Sequence, residues 1–78
     1  MAEEREERLI KAIERGPGQQ IQVRLTTFRG REYLDLRNFY LDDNDEWRPT
    51  KKGVAVPVEL YEELMAALKE AGEVIEEG

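Results

Sequence analysis

Between residues 28 and 57 the chain interleaves cations with flat rings: Phe28, Arg29, Arg31, Tyr33, Arg37, Tyr40, Arg48, Lys51 and Lys52 all fall within that stretch. Arginine presents a planar fork of donors that suits phosphate oxygens. An exposed ring offers a stacking surface worth roughly 1–3 kcal/mol per base. Together these are the two chemistries a single-stranded nucleic acid needs, and because every base has a π face the binding would show little sequence preference. Strand alternation puts Arg24, Phe28, Tyr33 and Arg37 on one outward set, with Arg29 and Arg31 at a hairpin, Tyr40 near the far end, and Arg48, Lys51 and Lys52 as a second basic cluster. Spacing alone fits an equally plain account, in which the rings fill a core or an interface and the cations form a solvated strand face.

The net charge of -6 looks hostile to a polyanion until it is divided along the chain. Residues 1–19 sum to -1, residues 20–56 to +1, and residues 57–78, with seven acids and one base, to -6. The acidity therefore belongs to the C-terminal segment and leaves a basic face available to the middle. Other chemistry has little material. The absence of cysteine and histidine excludes disulfides and thiolate or imidazole metal sites, and restricts any catalytic reading to carboxylates, lysine, tyrosine and hydroxyls. No enzyme, cofactor or metal is expected. The run Asp42, Asp43, Asp45, Glu46 lacks the glycine and the distal glutamate of a calcium loop and reads as a polar turn. Asp35, two residues before Arg37, is placed to orient that arginine. No apolar run reaches the ~20 residues of a membrane span, and MAEEREER lacks a signal-peptide core, so the expectation is a soluble intracellular chain.

The elements that must position these residues fall in order. Residues 3–15 carry helix formers with Leu9, Ile10 and Ile13 on one side, which predicts a short amphipathic helix or a frayed arm, stopped by a Gly16-Pro17-Gly18 linker. Residues 20–28 alternate, with Ile21, Val23 and Leu25 on one face and Gln22, Arg24, Thr26 and Phe28 on the other. Residues 31–41 do the same, with Leu34 and Leu36 inward, and the Arg29-Gly30 connection predicts a tight antiparallel hairpin. Two short strands, 46–48 and 53–56, are expected around residues 49–52. Pro57 opens a helix in which Leu60, Leu64, Leu68 and Ala71 repeat, widened by Tyr61 and Met65 and weakened at Gly72. The division is thus an arm at 1–18 and one domain at 19–78. A chain of 78 residues buries only about 60% of its unfolded surface, so self-association through the helix is expected.

The order Phe28-Arg29-Gly30-Arg31, Asp35-Leu36-Arg37, and Pro49-Thr50-Lys51-Lys52-Gly53 closely resembles the positive-cofactor-four family of transcriptional coactivators and their bacterial relatives, over roughly residues 19–75. The resemblance implies an α+β fold: a curved four-stranded antiparallel meander followed by one helix, in a homodimer that grooves around unpaired DNA. It also implies roles. Phe28 would be the stacking ring at the hairpin, Arg29 and Arg31 flanking phosphate contacts, Arg37 the cation within the second strand, Tyr40 the second stacking aromatic, and Arg48 and Lys52, with Lys51 beside them, the basic residues of the last two strands. Tyr40 stands where the human member has tryptophan, and the first strand carries one base, Arg24, beside Gln19, Gln22 and Thr26.

The expected function is single-stranded DNA binding of low specificity in transcription or DNA maintenance. RNA shares the same chemistry, and transcription machinery is a further expected partner. The competing expectation is a dimeric interaction module that recruits basic partners through its acidic helix. The missing Ser- and Lys-rich tail suggests a prokaryotic or phage type, acting in the cytoplasm at the nucleoid; a eukaryotic member would be nuclear.

Overall fold

The computed structural model describes residues 5–78. Strands β1 (Arg5–Gly16), β2 (Gln19–Phe28), β3 (Arg31–Leu41) and β4 (Trp47–Pro57) are followed by a 3-10 turn, Val58–Leu60, and helix α1 (Tyr61–Glu77). The strands form one antiparallel sheet in the order β1-β2-β3-β4. The expected meander and C-terminal helix are present, but two of its strands are not the ones the sequence suggested.

Residues 5–16 form a strand where a short helix or arm was expected; Glu3 and Glu4, the start of that expected helix, lie outside the described residues. An isolated helix of about a dozen residues is marginal in water, whereas the free edge of β2 offers β1 a full ladder of hydrogen bonds. Pro17 and Gly18 bring the two together as a two-residue turn rather than a linker. Proline presets the first turn position, Gly18 takes φ 69°, and its carbonyl accepts the Leu41 N–H at 3.0 Å. A register shift between Leu9 and Lys11 resets the alternation, so apolar residues at helical spacing go to opposite sheet faces: Leu9 opposite Arg24, Ile13 opposite Ile21.

Residues 46–48 and 53–56 were expected as two strands. Residues 47–48 and 53–56 belong to one strand, β4, with Glu46 just before it, and the strand is interrupted by an irregularity between the pairs Arg37–Gly53 and Phe39–Pro49. The β2–β3 hairpin matches expectation, with Arg29 (φ 55°) and Gly30 (φ 77°) both left-handed, as a two-residue turn matched to strand twist requires.

Register divides the sheet into two faces. Gln22, Arg24, Thr26 and Phe28 of β2 stand opposite Arg37, Asp35, Tyr33 and Arg31 of β3, and Phe39 of β3 pairs with Pro49 of β4. We call this the groove face. The back face carries Ile21, Val23 and Leu25 against Asn38, Leu36 and Leu34, continued by Val54 and Val56 of β4. Among the described residues the buried ones, Phe39, Gln22 and Asp35, all lie on the groove face. The apolar back face is left partly open.

Helix α1 buries none of its residues and leaves Tyr61, Met65, Leu68, Val74 and Ile75 exposed, as is Leu60 in the turn before it. It starts at Tyr61, after the 3-10 turn that follows Pro57, with no side-chain cap at either Pro57 or Leu60, and it continues through Gly72 to Glu77. The molecule measures 49 × 34 × 18 Å with a radius of gyration of 14.7 Å. A compact chain of this length would have about 11.5 Å.

Candidate nucleic-acid interface

The groove face holds a hollow of about 770 Å3 whose wall includes Arg24, Phe28, Arg37, Phe39, Trp47 and Lys51. Its two arginines are held in place by neighbours. Arg37 Nε donates to Asp35 Oδ2 at 3.1 Å, Nη2 to Oδ1 at 3.0 Å, and Nη1 to the Thr50 carbonyl at 3.0 Å. The hydrogen bonds to Asp35 raise the Arg37 pKa further above its ordinary value. Three of the five guanidinium donors are thereby used, which fixes the plane of the group and leaves two N–H groups for a ligand.

The backbone is shaped around that arginine. A Cβ on Gly53, the residue opposite Arg37, would come within 2.7 Å of the Leu36 carbonyl and 2.9 Å of the Arg37 Cα. Only glycine allows β4 so close. Thr50 supports the same region: its hydroxyl donates to the Asn38 carbonyl at 2.9 Å and accepts the Lys52 N–H at 3.1 Å.

Arg24 lies across the Phe39 ring, 5.4 Å from its centroid, and its Nη2 pairs with Glu7 at 2.6 Å. Its Nε is buried without a hydrogen-bond partner, a costly state for a donor. Acidic groups therefore enter the hollow too, but Glu7 and Asp35 are each tied to an arginine. At the hairpin end the Arg29 guanidinium stands 5.2 Å from the Phe28 ring centroid, and Arg31 pairs across from Phe28 and is exposed. Arg29 occupies a left-handed turn position, φ 55°, where asparagine or glycine fits with less strain.

Two expected site residues, Tyr40 and Arg48, stand on the back face. Tyr40 pairs with Gln19 and with Arg48, on the back face, so it does not share the hollow with Arg37 and Phe28. Arg48 is engaged by Asp42 at 2.7 Å and Glu46 at 3.4 Å. Asp42 also accepts the N–H groups of Asn44 and Glu46, which explains the acidic run as a clamp on the β3–β4 turn. The Arg48 hydrogen bond, then the Glu46 N–H, hold the Asp42 pKa below the ordinary 3.8. Lys52 is exposed within the β4 irregularity. The sequence reading had no role for Phe39, Trp47 or Thr50. Carrying one alternation through residues 47–57 would have put Trp47, Pro49, Lys51 and Gly53 on a single face; dividing the segment into two strands lost that phase.

Residues 16–67, about two thirds of the chain, match the family Transcriptional Coactivator p15 (PC4). The chain belongs to the PC4 family. It is 36% identical over 55 residues to an RNA polymerase II transcriptional coactivator of Drosophila melanogaster, covering 70% of this chain and 49% of that protein. To the RNA polymerase II transcriptional coactivator SUB1 of Saccharomyces cerevisiae it is 37% identical over 49 residues, covering 62% of this chain and 17% of that one. It thus spans about half or less of these relatives. Solved PC4 structures share the architecture. A PC4 homologue from Burkholderia pseudomallei aligns with TM-score 0.78 and 26% identity over 83% of this chain and 88% of that one. The bacteriophage T5 homologue of the eukaryotic coactivator PC4, implicated in recombination-dependent DNA replication, aligns with TM-score 0.75 and 32% identity over 90% and 81%. Among the described residues no helix is long and apolar enough to cross a membrane.

Proposed function

We propose that this PC4-family chain binds single-stranded DNA with little sequence preference, as a homodimer, in transcription regulation or DNA maintenance. The observation that carries the reading is the groove-face hollow, where cations and rings converge on one side of the sheet while the acidic helix lies outside it. Phe28 stacks a base; Arg24, Arg29, Arg31, Arg37, Lys51 and Lys52 contact phosphates. Tyr40 and Arg48 form a separate strip on the back face, reached by a strand that passes around the β4 edge.

Dimerisation is supported by the open apolar back face and the exposed helix stripe, since a thin sheet with an unpacked helix leaves its hydrophobic surface without cover. The same helix, with seven acids and one base from residue 57 onward, is the feature that favours the competing reading of a module recruiting basic proteins. Titration of labelled oligo-dT followed by anisotropy separates the two. Binding at low salt that is lost when Phe28 and Arg37 are replaced by alanine supports the DNA reading; no binding at low salt leaves the interaction module.

A further inference from the structure

The geometry points to Trp47 as a base-stacking ring of the groove, at the opposite end from Phe28. This inference rests on the single-stranded DNA reading above and adds to it a residue and an extent of binding site.

Four observations carry it. Trp47 pairs with Leu41, which puts it on the groove face in phase with Pro49, Gly53 and Ala55. It lines the same hollow as Phe28, Arg37 and Lys51. Its exposure of 38% contrasts with 5% for Phe39, whose ring is covered by the Arg24 guanidinium, so Trp47 has ring surface to offer where Phe39 has little. Tyr40, the other exposed aromatic at this end of β3, stands on the opposite face.

The occupant follows from the surroundings. A protein partner would be expected on the apolar back face, whereas the wall around Trp47 mixes rings with Arg24, Arg37 and Lys51. Lys51, four residues along the same strand, supplies a cation for the phosphate next to a base lying on the indole. Indole is the largest side-chain π surface, and stacking on it asks nothing of base identity. Phe28 stands opposite Arg31 and Trp47 opposite Leu41, at the two ends of β3. The two rings therefore bracket the groove, and a strand engaging both must run along β3, with several nucleotides between them.

Trp47 is the sole tryptophan, so it reports on itself. An oligo-dT of about 16 nucleotides, the upper end of the site size of a single OB-fold single-strand binder, is titrated into the full chain at low salt. Indole emission is followed, and in parallel the anisotropy of the same oligonucleotide carrying a label. The expected result is quenching of indole emission with the same midpoint as the anisotropy rise. Trp47→Ala is expected to weaken binding about 5- to 150-fold, and Trp47→Phe to recover most of it. An anisotropy rise without change in indole emission, or a folded Trp47→Ala chain that binds as tightly as the parent, overturns the role of Trp47 and leaves the groove reading intact. Failure of the parent to bind at all overturns the groove reading and this inference with it.

Discussion

Arg37 shows how one residue's use is determined by others far from it in sequence. Its guanidinium is aimed by Asp35 and the Thr50 carbonyl, and its backbone position depends on Gly53 having no side chain. Replacing Gly53 with alanine forces a methyl group against the Leu36 carbonyl and the Arg37 Cα, both backbone-anchored. The expected cost is roughly 1–3 kcal/mol of stability, the usual range for overpacking. Chemical denaturation measures it, and oligonucleotide affinity should fall in the same variant as Arg37 is displaced. Unchanged stability would mean that β4 does not approach β3 this closely. The sequence already paired Asp35 with Arg37, because two-residue spacing on a strand puts both on one face. It could not supply Thr50 and Gly53, whose role depends on the irregularity in β4.

At the scale of elements, turns and registers decide what local pattern leaves open. The hairpin at Arg29-Gly30 was legible because its chemistry is local. The first strand was not: residues 5–16 carry helix formers, and only pairing with β2 makes an extended form favourable. The connection that enforces this pairing is Pro17-Gly18. Gly18→Ala is expected to cost about 1–2 kcal/mol, because Gly18 holds φ 69° and a Cβ disfavours it; thermal or denaturant unfolding reads the loss. At the β3–β4 turn the pH dependence has a defined sign. Asp42 has a folded pKa below 3.8, so its contribution is fully present above 3.8 and is lost as pH falls through the lower folded value. The melting-temperature gap between the parent and Asp42→Asn should be constant near neutrality and close in acid, and NMR titration of Asp42 should give a midpoint below 3.8. A midpoint at or above that value contradicts the clamp. The partition of the second and third strands into two faces was readable from alternation, but the face of Tyr40 and Trp47 depended on register and on recognising residues 47–57 as one strand.

For the whole molecule, the sheet is sided: Arg24, Arg37, Lys51, Phe28, Phe39 and Trp47 line one face, the other is largely apolar apart from Tyr40 and Arg48, and an acidic helix projects with its stripe uncovered. The uncovered surface predicts a particle of twice the 9.1 kDa chain mass by light scattering. Leu68→Glu, in the middle of the exposed stripe, should shift it toward the monomer and lower its stability; a parent that runs as a monomer at all concentrations contradicts this. The groove is the more central feature. Its most direct test is the affinity for labelled oligo-dT, followed by anisotropy across a range of salt concentrations, for the parent chain and for a folded variant with Phe28 and Arg37 replaced by alanine. The predicted result is binding that weakens with salt at a slope of roughly -0.7 per phosphate contacted, and an affinity much reduced in the variant. Absence of binding at low salt, a slope near zero, or equal affinity of the two proteins would contradict it.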